Sequence, residues 1–139
     1  ALDPNKSLGP PPSQEAVPYF NFAPLNNALQ RLQESAAAYD RAVAGDVASS
    51  AETNRLLFTS ERLLSLEQGL EGRTWYKHHI YAPGFYTGYG VKTIPGVREA
   101  IEQRDYSKVD PQIQVAARVL NQMSERIEHL TALTTREPQ

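Results

Sequence analysis

The sequence predicts an all-α fold: an antiparallel, up-and-down four-helix bundle with a long ordered aromatic and glycine-rich loop between its second and third helices. Apolar residues recur at three- and four-residue steps along four stretches, the spacing that lines one face of a helix. Proline, serine and glycine stand where such helices start and stop. Most of the connections are brief turns, which favour antiparallel neighbours.

Residues 1–18 carry Pro4, Pro10, Pro11, Pro12 and Pro18 with little apolar content, and read as an extended or disordered linker. Residues 19–135 form the helical domain, and 136–139 a short tail. The first helix opens at Pro24, a residue suited to a first turn, and runs to about Ala44 before Gly45 stops it. Its apolar face is Leu25, Ala28, Leu29, Leu32, Ala36, Tyr39 and Val43. The second starts near Ser49, which has capping-box spacing to Glu52, and runs to about Gln68 with Gly69 ending it. Leu56, Leu57, Leu63, Leu64 and Leu70 are its inward candidates. The third is short, from about Pro95 to Arg104. Asp110 followed by Pro111 gives the fourth an N-cap and a first-turn proline, and it extends to about Leu133. Its apolar arc includes Ile113, Ala117, Leu120, Met123, Ile127 and Leu130, broad enough to pack on more than one neighbour.

With 139 residues the chain suits one domain, and a domain of that size buries about 68–70% of its unfolded surface. It needs no disulfide or metal for stability. A net charge of −2 gives no electrostatic case for nucleic acid or for direct contact with an anionic membrane. No apolar run approaches the ~20 residues of a membrane-spanning helix. With no cysteine, thiols say nothing about redox compartment. Asn5-Lys6-Ser7 fits a glycosylation acceptor, a match short enough to arise by chance.

The catalytic motifs are missing. There is no G-x-S-x-G elbow and no thiol nucleophile. Gly88-Tyr-Gly-Val-Lys92-Thr93 is not a phosphate loop, because Val91 and Tyr86 occupy the required glycine positions. His78 and His79 are neighbours that face opposite ways on an extended chain, and His129 has no partner at metal-ligand spacing. The outstanding feature is the run from Arg73 to Gly96, including a short extended stretch over Tyr76–Tyr81. Rings this dense do not belong on a solvated linker. Trp75, Tyr76 and Tyr81 read first as packing anchors. Phe85, Tyr86 and Tyr89, set among glycines, read equally as anchors or as exposed contact residues.

Tyr76-Lys-His-His-Ile-Tyr-Ala-Pro83, followed by Pro95-Gly96-Val97 and a helix, resembles the hallmark segment of the transferrin-receptor-like dimerisation domain. Phe22-Ala-Pro-Leu25 with Ala28 resembles that domain's first long helix, and Asp110-Pro111 through Gln114-Val-Ala-Ala117 its last. The family includes glutamate carboxypeptidase II, acidic dipeptidases and the transferrin receptors. The resemblance implies a non-catalytic, homodimerising helical domain that closes a larger chain. Protease-associated and zinc-peptidase domains would precede it, with two zinc ions bound there and no cofactor or metal here. It implies an extracytoplasmic or secretory-pathway ectodomain. It also implies that loop 84–92 reaches the parent's substrate cleft. An Asn-Lys-Tyr triplet that holds terminal glutamate in glutamate carboxypeptidase II matches Thr87, Gly88 and Tyr89, with glycine in place of lysine. Lys92 lies nearby, off the matching position. The alternative is a receptor-like protein-binding module of an inactive family member, although the Arg-Gly-Asp contact motif is missing. An independent small-molecule-binding bundle would need a pocket beneath the loop.

Overall fold

The computed structural model describes residue 9 and residues 13–45 and 50–136. The described residues are mostly helical, with four α-helices and a small two-stranded sheet among them. Helix α1 spans Ala23–Ala42, α2 Ala51–Phe58, α3 Pro95–Glu102 and α4 Val109–Arg136. Strands β1 (Tyr81–Pro83) and β2 (Val91–Thr93) lie between α2 and α3, and 3-10 turns occupy Ser60–Leu64 and Tyr106–Lys108. Residues 13–19 are exposed and belong to no element. The rest of the proline-rich segment apart from Gly9, including Asn5-Lys6-Ser7, lies outside the described residues, as does the tail from 137.

The core forms where α4 meets α1 and α3. Val109, Ile113, Ala116, Ala117 and Leu120 of α4 cluster with Leu25 and Ala28 of α1 and with Val97 and Ala100 of α3. Each large aliphatic side chain buried this way contributes roughly 1.5–3 kcal/mol before the entropy cost of ordering. At the edge of this contact Arg31 grips Glu128 with two nitrogens, at 3.0 and 2.9 Å. The pair is largely exposed, so it sets register more than stability.

These contacts run in step along both helices. Pro24 and Ala28 share a groove with Gln114 and Ala117, while Arg31 reaches Asn121, and Ser35 lies 3.1 Å from Glu128. Helices α1 and α4 are therefore parallel. This corrects the up-and-down antiparallel bundle, in which first and last helices would oppose each other. The reason lies between them: the intervening chain holds short helices, turns and a hairpin, and carries the backbone back to its starting end.

The expected second long helix is also corrected, because α2 stops at Phe58. Ser50 is its N-cap, accepting the Thr53 N–H at 3.0 Å, and Ser49 lies outside the described residues. Thr59 and Ser60 hydroxyls donate back to the carbonyls of Arg55 and Leu56, at 2.9 and 2.7 Å. Such local bonds compete with helix continuation, and the chain tightens into the 3-10 turn. Leu56 and Leu70 are buried, Leu63 and Leu64 half-buried, and Leu57 is exposed rather than inward. Helix α3 ends two residues early because Arg104 takes a left-handed φ of 60°. Asp110 is not an N-cap: the 3-10 turn feeds straight into α4, and Asp110 and Pro111 fall in its first turn, where both are favourable.

Candidate functional site

Residues 65–94 fold back on themselves twice. In the first reversal Leu66 N–H donates to the Lys77 carbonyl, Leu70 N–H to that of Tyr76, and His79 N–H to that of Leu64, at 2.8–2.9 Å. Gly69 permits it: its φ is +64°, and a Cβ there would stand 2.2 Å from the Thr74 carbonyl oxygen. The second reversal is a β-hairpin with Tyr81 opposite Thr93 and Pro83 opposite Val91. Its loop closes where Gly84 N–H meets the Gly90 carbonyl at 3.0 Å.

Arg73 holds the two reversals together. It is only 4% exposed, and its guanidinium donates to the Pro83 carbonyl and to Glu99 Oε1. Glu99, on α3, also accepts the Phe85 N–H at 2.9 Å. The Arg73 guanidinium lies 5.3 Å from the Tyr76 ring centroid and 5.6 Å from that of Phe85. Its Nε is buried without a hydrogen-bond partner, and the ring faces supply part of the missing electrostatic attraction. A buried ion pair adds little stability over apolar packing, yet loss of either partner strands a charge. Its role is positional. One cation fixes the end of β1, the start of loop 84–90 and the wall of α3.

The pinned loop displays its rings. Tyr86 is 81% exposed and Tyr89 fully so, with Phe85 half-sheltered edge-on to Tyr86. Tyr81 is an anchor, its hydroxyl 2.8 Å from Glu61, and Tyr76 rests on Arg73. Trp75, expected as an anchor, is instead 72% exposed. It sits at the outer tip of the first reversal, where the inward position belongs to Arg73. A cavity of about 440 Å³ opens among Arg73, Trp75, Tyr76, Phe85, Tyr86 and Gly88. Thr87 N–H caps the turn on the Gly84 carbonyl at 3.3 Å, and Gly88 faces open space. Lys92 does not reach the tip: its ammonium pairs with Glu102, which also takes Arg98.

His78 is half-buried and His79 buried. His78 Nδ1 accepts the N–H groups of Ile80 and Tyr81, leaving the proton on Nε2, about 4.0 Å from Glu61. Burial lowers its pKa, while Glu61 acts in the opposite direction. His79 is buried, and desolvation together with nearby His78 lowers its pKa as well. His129 is exposed on α4. Among the described residues no group of three or more His, Cys, Asp or Glu side chains is arranged to hold a metal ion.

Of the helix-face candidates, Ile113, Ala117, Leu120 and Leu130 are buried within the single protomer, and Met123 and Ile127 are half-buried. The first four therefore serve the core and are closed to a partner. Sequence reasoning missed Arg73 and Glu99. No local signal marked the pair: at about 100° per residue Glu99 falls off the stripe of Val97, Ala100 and Ile101, where a carboxylate reads as solvated.

The sequence pattern of the transferrin receptor-like dimerisation domain matches residues 20–128. The chain belongs to that family. It is similar to a probable glutamate carboxypeptidase, LAMP1, from Arabidopsis thaliana, 49% identical over 51 residues, covering 37% of this chain and 8% of the relative. A probable glutamate carboxypeptidase from Arthroderma benhamiae is 36% identical over 52 residues, covering 37% of this chain and 7% of the relative. The dimerisation domain thus matches less than a tenth of the length of either relative. Among the described residues, no helix is long and apolar enough to cross a membrane.

Proposed function

We propose that this dimerisation domain is the non-catalytic homodimerising module of a larger, zinc-peptidase-like protein, and that loop 84–92 forms one wall of its substrate cleft. Family membership and the names of the two relatives support the first half. For the second half, the carrying observation is a loop held rigidly by Arg73 and Glu99 that nevertheless turns Tyr86 and Tyr89 outward. Both zinc ions and the catalytic residues belong to the parent's peptidase domain, and the parent is an extracytoplasmic or secretory-pathway ectodomain.

Because α4 commits most of its apolar face to the protomer core, the second copy meets side chains that remain exposed: Leu29 on α1 and Leu57 and Phe58 on α2. Sedimentation at high micromolar concentration should show a dimer that Phe58→Asp dissociates. A wild-type chain that stays monomeric throughout would remove this reading. The exposed rings also favour a second reading, a receptor-like module of an inactive relative that grips a protein partner. Presence or loss of a two-zinc ligand set upstream in the parent sequence separates the two.

A further inference from the structure

We infer that the substrate side chain received against loop 84–92 is uncharged, and apolar or aromatic, rather than a carboxylate. This deepens the cleft reading above and rests on it. The surface the loop offers is built from Phe85, Tyr86 and Tyr89, with Trp75 alongside, and its cavity of about 440 Å³ is lined by Trp75, Tyr76, Phe85 and Tyr86 together with glycines, Pro83 and the buried Arg73. The cations around it are committed. Arg73 is buried against Glu99 and Lys92 is paired with Glu102, while Lys77, in an exposed pair with Glu67, does not line the cavity. Glu102 binds Arg98 as well, so freeing Lys92 would break a three-membered cluster.

A carboxylate brought to this surface would lose water and gain no charged donor. Transfer of an unpaired charge from water is strongly unfavourable, whereas neutral hydrogen bonds to tyrosine hydroxyls have about half the strength of charge-assisted ones. An apolar or aromatic side chain incurs no such desolvation cost and gains ring contacts. Position 88 is where a cation would change this. A Cβ at Gly88 would meet nothing within 4 Å, and the backbone there does not need a positive φ, so a lysine fits without strain.

The test uses the full-length protein and two N-acylated dipeptides alike except for a terminal phenylalanine or glutamate. The expected kcat/KM favours phenylalanine by about tenfold or more, and Gly88→Lys moves the ratio toward glutamate. If turnover is nil, Kd values for the same two peptides by calorimetry are held to the same criterion. Equal handling, or preference for glutamate, overturns the inference. Should Tyr89→Ala and Gly88→Lys change neither peptide's value, the loop does not face the cleft and the underlying reading fails. Should they change the values while glutamate remains preferred, only the specificity inference fails. Binding of neither peptide overturns both.

Discussion

Along α1 and α4 most apolar side chains face inward, and ionic groups such as Arg31 and Glu128 ring the contact. Residues 65–94 reverse the arrangement: Arg73 and His79 lie inside, while Trp75, Tyr86 and Tyr89 face out. The helix pair is held by non-directional burial, which tolerates small shifts. The loop region is held by a few directed contacts, each with a defined donor and acceptor. Its shape should therefore respond to single polar substitutions that would hardly matter on the helices.

The largest expected effect comes from Arg73→Ala. It strands buried Glu99, and loss of one partner costs roughly 3–5 kcal/mol in urea unfolding. Amides of loop 84–92 should also lose hydrogen-exchange protection well before those of α4. Equal loss in both regions would erase the distinction drawn above. Ile113→Ala, which opens a cavity at a wholly buried site, should cost about 2–5 kcal/mol while leaving loop exchange tied to global unfolding. Gly69→Ala forces a left-handed alanine, costing about 1–2 kcal/mol, and the Thr74 carbonyl must also move to admit its Cβ, so a midpoint shift of at least that size is expected.

A smaller effect is pH-dependent. Burial lowers the folded-state pKa of His78 and His79. As pH falls through about 6.5 the unfolded chain takes up protons first, so stability is full above that value and declines below it. His79→Gln should flatten the urea midpoint between about pH 7 and pH 5. The smallest change belongs to Tyr89→Ala, which should stay within about 0.5 kcal/mol of the parent. A larger loss would mean that this ring packs on something within the protomer.

The helices were legible where periodicity and punctuation agreed: α1 with Pro24, and α4 with its long apolar arc. The length of α2 was not, because Thr59 and Ser60 look neutral in a pattern and act through bonds to carbonyls a turn earlier. The relative direction of α1 and α4 was hidden as well, since periodicity fixes faces but not the path between them. The loop stood out in sequence through its rings and glycines, whereas its lock did not. Arg73 and Glu99 are 26 residues apart, and neither has a local pattern naming the other.

The shared direction of the two long helices governs how this domain can be joined to anything else. The backbone enters α1 at one end of the pair and leaves α4 at the other, a separation on the order of 30–40 Å at 1.5 Å per helical residue. Such a piece cannot be spliced into a tight surface turn of a host, which needs its two attachment points side by side. It can be appended, or it can bridge two bodies as a strut, and a partner fused beyond Arg136 would be held far from one fused before Ala23.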